Sequence, residues 1–234
     1  MCAVTVVAFW YGRTAYLHAT NRPDYYWMQA AITVAAGEEL GNPVVDKTTP
    51  LYEFLASRRQ EITLAEAKTA VVSFEPWDWS QRYLMTSVGY WWRITGIKWS
   101  ALGDVCGALH VIAVLGVHAT LRIFTPLLFS LAGALWMATA SLQLLFIPQV
   151  RDYSKASFML ATIPLTILLA CRGRTRASTF AAAIGAGAVM GIGLGFRRDI
   201  LVMVPSRSLP SSSSGVPAHG RICRRRRRPL RRCS

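Results

Sequence analysis

Four stretches of the chain are strongly apolar and close to the length a bilayer demands: Trp99–Val117, Ile123–Ile147, Ala156–Cys171 and Ser178–Phe196. A helix rising 1.5 Å per residue needs about 20 apolar residues to cross the hydrocarbon. These windows constrain the fold more than any other feature. In lipid every backbone N–H and C=O has to find its partner inside the protein, which leaves helices or closed barrels. A fifth run, Met1–Trp10, is too short to cross alone. It lacks the basic start and small-residue cleavage site of a signal peptide, and reads as the end of a transmembrane helix. The expected class is therefore an all-α integral membrane protein, with four to five transmembrane helices and a large helical first outer loop. A composition that is 53% hydrophobic agrees with this.

Charge divides the chain further. Nine of its twelve acids lie between Asp24 and Asp78, and nine arginines without one acid lie between Ser206 and Ser234. Four parts are expected: residues 1–10, a partial first span; 11–98, an outer loop with amphipathic helices; 99–205, the transmembrane block; and 206–234, a disordered basic Ser/Arg-rich tail. The run Arg172-Gly-Arg174-Thr-Arg176 marks a cytoplasmic loop by the positive-inside tendency. That puts His118–Arg122 inside, and Arg151–Lys155 and segment 11–98 outside. The tail would then lie outside against the same tendency, and its composition is what GC-rich DNA gives out of frame. It is expected to be a misjoined end.

Within 11–98, Pro23-Asp24 reads as a turn and a helix cap, followed by Tyr25-Tyr26-Trp27 and a small-residue helix closed by Gly37. Gly41-Asn42-Pro43 is a turn. Thr49-Pro50 opens a helix with Leu51, Phe54 and Leu55 on one face. Thr63–Val72 reads as a short helix, and Gln81 to Thr95 as another. The aromatic set Trp77, Trp79, Tyr83, Tyr90, Trp91 and Trp92 suits the headgroup level of a membrane or the core of a folded loop. Asp104 falls five residues into an apolar window, where an acid is either functional or hydrated near the interface. Gly187, Gly191 and Gly195, four apart, predict a face for close helix packing. Five cysteines without C-x-x-C spacing and four histidines without an H-x-x-x-H pair give no metal motif.

Four of these places together resemble the N-terminal part of GT-C type glycosyltransferases, in the branch similar to protein mannosyltransferases and aminoarabinose transferases. They are Asp24-Tyr25-Tyr26-Trp27-x-Gln29-Ala30 with Gly37; Trp91-Trp92-x-x-x-Gly96; Arg151-Asp152-Tyr153-Ser154-Lys155; and Gly195-Phe196-Arg197-Arg198-Asp199. The resemblance covers roughly residues 1–205. It departs from the family in having Tyr25 where many relatives carry a second acid, and in having fewer spans. It implies a polyprenyl-phosphate-sugar donor, a lipid, polysaccharide or protein acceptor, inversion at the anomeric carbon, and a bacterial inner (plasma) membrane location. Asp24 would be the base that takes the acceptor proton, and Asp152 a second acid or a ligand for a divalent cation (Mg or Mn). Arg151, Lys155, Arg197 and Arg198 would hold the donor phosphate, which guanidinium groups suit. The other readings are an inactive fragment or assembly partner, or a piece of a transporter. Nucleic-acid binding is disfavoured, because the basic tail has no interleaved aromatics.

Overall fold

A computed structural model describes residues 1–19, 28–68, 71–72, 81–170 and 176–196. Helices dominate, and those longer than ten residues run alongside one another. α1 (Cys2–Leu17) continues seven residues beyond the apolar run that announces it and packs antiparallel to α6 (Trp99–Phe124). Their approach is close because Gly12 and Gly107 face each other's helix. A Cβ at Gly12 would stand 2.7 Å from His110 Cβ, and one at Gly107 would stand 2.8 Å from the Phe9 carbonyl oxygen.

α6, of 26 residues, α9 (Val150–Ala170) and α10 (Arg176–Phe196) are long and apolar enough to cross a membrane. At 1.5 Å per residue α6 measures about 39 Å, against about 30 Å of hydrocarbon. Its length corrects the first loop assignment: His118–Arg122 is the last part of α6, and the turn is Thr125-Pro126. The apolar surroundings of this short polar run let the helix continue until proline ends it.

The window Ile123–Ile147, expected to be the cleanest span, is two helices. α7 (Leu127–Thr139) stops at Ala140, whose backbone is extended, and α8 (Ser141–Phe146) restarts there. Hydropathy has no information on such a break, because Ala138, Thr139, Ala140 and Ser141 at it are all small. The loop expected at Pro148–Lys155 is also shorter. α9 begins at Val150, so Arg151, Asp152 and Lys155 lie in its first two turns.

The polar segment gathers near the start of α6. α2 (Gln29–Ala36) ends at Gly37 in the left-handed region, φ 84°. Its N-cap is Met28, four residues after Asp24, which lies outside the described residues, so the helix is not capped by Asp24. α3 (Pro50–Leu55) is capped by Thr49 and buries Leu51, Phe54 and Leu55 as expected. The helix expected over Thr63–Val72 reaches only Ala67. α4 (Leu64–Ala67) closes a capping box between Thr63 and Glu66, and β3 (Val71–Val72) pairs antiparallel with β1 (Asn42–Pro43). α5 (Arg82–Thr95) packs across α2, where Gly89 leaves room for Val34 and the Ala31 carbonyl. A second small pair, β2 (Glu61–Ile62) with β4 (Ile97–Lys98), ties the segment to the entrance of α6.

The aromatic set divides at that entrance. Phe54 stacks on Trp99 at 4.6 Å, Trp92 meets Trp99 edge-on at 5.6 Å, and both indoles are buried. Their N–H groups donate to the carbonyls of Phe54 and Lys98. Trp92 is thus core, while Tyr83 and Tyr90 are exposed. Trp77 and Trp79 lie outside the described residues.

Candidate functional site

α1 brings Trp10, Tyr11, Thr14 and His18 to one side of a cavity of about 700 Å³; Ser141, Leu144 and Gln149, on α8 and the turn after it, form the other. The spacing 10, 11, 14, 18 is one helical face, which is why a single helix supplies the whole wall. The rings of Trp10 and Tyr11 meet edge to face at 5.1 Å. His18 Nδ1 stands 2.9 Å from the Thr14 carbonyl oxygen. A carbonyl only accepts, so Nδ1 carries the hydrogen and Nε2 of the neutral ring is left as an acceptor. The cavity volume lies in the range of about 300–1,000 Å³ that small-molecule sites occupy.

The break between α7 and α8 gives this cavity its second wall, and a buried polar network holds the break. His110 Nε2 donates to the Ala138 carbonyl, 3.0 Å away, in the last turn of α7. That fixes the tautomer, so Nδ1 accepts from the Tyr153 hydroxyl at 2.5 Å. The Tyr153 oxygen in turn accepts from Gln143 Nε2 on α8 at 3.3 Å. One histidine on α6 therefore connects the end of α7, α8 and α9, each group donating where the next accepts. Away from water an unpaired member of such a chain is costly.

The acid of the α6 window also has a partner. Asp104 Oδ1 lies 2.6 Å from Arg13 Nε, with side-chain exposures of 24% and 43%. The acid is thus paired between α1 and α6 and remains partly exposed. Among the described residues Asp104 is also the one formally charged group on a second cavity, of about 370 Å³, walled by Phe9, Trp91, Leu109, Phe158 and Phe196.

The expected site residues fall into two groups. Arg151, Asp152 and Lys155 are together on the first two turns of α9, directly after the Pro148-Gln149 turn that borders the large cavity. Asp152 is exposed and lines a small cavity of about 160 Å³ with Gln143 and Tyr153; Arg151 and Lys155 are half-buried. Asp24, Arg197 and Arg198 lie outside the described residues. Among the described residues no three His, Cys, Asp or Glu side chains converge to hold a metal ion.

Sequence reasoning missed Arg13, His18 and His110. The signal for His110 was present: Gly103, Gly107 and His110 share one face of α6, and small residues beside a polar one mark a tight helix contact. The small-residue stripe that was singled out behaves differently. Gly195 meets Tyr83, but a Cβ at Gly187 or Gly191 would have nothing within 4 Å.

No family model, curated protein or solved structure matches the chain.

Proposed function

We propose that this chain is a membrane glycosyltransferase of the GT-C type, moving a sugar from a polyprenyl-phosphate donor to an acceptor at the outer face of a bacterial inner membrane. The observation that carries the reading is the position of the 700 Å³ cavity. It is bordered by the last turns of α1, from which the chain runs on to Asp24, and by the turn that leads into Arg151, Asp152 and Lys155. On this reading α1, α6, α7 with α8, α9 and α10 cross the bilayer, and the segment between α1 and α6 is the first outer loop.

Asp24 takes the proton of the acceptor hydroxyl as its oxygen attacks the anomeric carbon, and the configuration inverts. The bond to the donor phosphate breaks, and the phosphate leaves with the electron pair. Arg151 and Lys155, with Arg197 and Arg198, offset the charge that grows on it. The apolar 370 Å³ cavity, open among aromatic side chains, suits the hydrocarbon of the carrier. No step is routed through a divalent cation.

The test is transfer of label from polyprenyl-phosphate sugars in membranes, comparing wild type with Asp24→Asn. Removing a positioned base lowers rate by about 10²–10⁴-fold, so transfer should nearly vanish at unchanged expression. Equal transfer in both would remove Asp24 from the chemistry. A non-catalytic role in a larger assembly is the second reading. The open face at Gly187 and Gly191 favours it, and absence of transfer by the wild type from every donor would select it.

A further inference from the structure

We infer that α5 lies along the membrane surface, on the side where α6 begins, with its exposed face seated among lipid headgroups. This placement needs only that α6 and α10 cross the bilayer, whatever chemistry the chain performs. α5 buries Leu84, Met85, Val88 and Trp92 in the fold. Those residues form the apolar stripe of an amphipathic helix, and the opposite side should then be polar. It is not. Tyr83, Tyr90, Trp91 and Ile94 fall on that opposite side and are exposed, Tyr90 at 57% and Ile94 at 78%. A contiguous exposed patch of such residues marks a contact with a membrane or another protein.

The chemistry and position of the face select lipid. Tyr and Trp, apolar in body and polar at the tip, favour the headgroup level. Arg82 and Arg93 are exposed together on one flank, and α5 holds no acid, which suits a surface of lipid phosphates. Both parts of the helix also rest on the ends of crossing helices. Trp91 Nε1 donates to the Ala101 carbonyl, 3.1 Å away in the first turn of α6. The ring of Tyr83 lies against Gly195 in the last turn of α10. Ile192, one turn earlier on that side of α10, is exposed, so the apolar surface of this span continues onto α5. A helix held at these two points stands at the depth where the apolar spans end. There an interfacial helix sinks its apolar face about 5–10 Å into the headgroup and acyl boundary.

A photoreactive side chain reports what covers the face. In the full chain p-benzoylphenylalanine replaces Tyr90 or Ile94, and because both positions are exposed the larger ring displaces no core side chain. The same residue in place of Ile184, exposed midway along α10, is the lipid reference, and in place of Glu53, exposed on α3, the water reference. Each variant is reconstituted in bilayers of phosphatidylcholine and phosphatidylglycerol and irradiated. Its adducts are identified by mass spectrometry.

Phospholipid adducts at both 90 and 94, in a yield matching that at 184 and lost at 53, are the expected result. An adduct from 90 or 94 to another peptide of the same chain overturns the inference, because a segment of the protein then covers the face. A crosslink between two copies overturns it in favour of self-association. Lipid adducts at 184 without them at 90 or 94 leave the face in water and overturn it as well. Absence of lipid adducts at 184 too removes the crossing of α10 together with the placement of α5.

Discussion

Adding one methyl group at Gly116 should loosen the bundle, while the same change at Gly191 should not. A Cβ at Gly116 would stand 2.5 Å from the Leu160 carbonyl oxygen, 2.6 Å from its carbon and 2.7 Å from Ala161 N. All three are backbone atoms of α9, so no side chain can rotate away. Ordinary contact begins near 3.4 Å, which requires the helices to part by about 0.9 Å. The crowding has a local cause: Pro164 has no N–H to give the Leu160 carbonyl, so the Cα of Gly116 can lie against it. Gly191, in α10, has nothing within 4 Å of its Cβ position. Both sites are interior to helices, so the propensity gain of Gly→Ala, about 1 kcal/mol, applies equally and cancels in the comparison. The difference is then the overpacking term, about 1–3 kcal/mol against Gly116→Ala. Parting α6 from α9 also stretches the bond between His110 and Tyr153, farther along the same interface. Unfolding of purified protein in detergent, by heat or by titration with a denaturing detergent, measures the gap. Equal stability of Gly116→Ala and Gly191→Ala would refute the close approach of α6 and α9.

Arg13→Leu and Asp104→Leu should each destabilise by about 1–3 kcal/mol, between the values for exposed and buried pairs. The double variant should recover most of the loss, and additive losses in the same unfolding assay would deny the coupling. Tyr153→Phe removes the hydroxyl that joins His110 to Gln143 and should cost about 0.6 kcal/mol, and up to about 1.7, as intramembrane hydrogen bonds do; a stability unchanged from wild type would break the network. The Glu66 carboxyl is held below its ordinary value of 4.5, first by the Thr63 backbone N–H and then by Arg59. A depressed carboxyl contributes stability above the unfolded value and loses it as pH falls through the folded one. Hydrogen exchange at residues 61–68, corrected for intrinsic rate, should therefore quicken below about pH 4.5 in wild type, with a weaker pH dependence in Glu66→Gln.

Local chemistry made some of the fold legible. The caps at Thr49 and Thr63, the left-handed stop at Gly37 and the face of Leu51, Phe54 and Leu55 depend on neighbours a few residues away, so the sequence carries them. The same holds for α6, α9 and α10 as apolar helices, because lipid leaves a long apolar run few other conformations. The reactive-residue pattern was read as motifs, and of those the first turns of α9 stand beside the large cavity.

What the sequence by itself determined is the helical class, the apolar runs and the separation of an acidic segment from them, since these follow from composition and short-range bonding. Only the tertiary structure decided how the polar groups are matched. Arg13 and Asp104 are 91 residues apart in sequence and His110 and Tyr153 are 43 apart. At the break beside Ala140 His110 donates to the Ala138 carbonyl, and beyond the break α8 lines the cavity with α1. Burial makes each such pairing obligatory, yet which partner arrives depends on how the helices cross, and that is a property of the packed bundle.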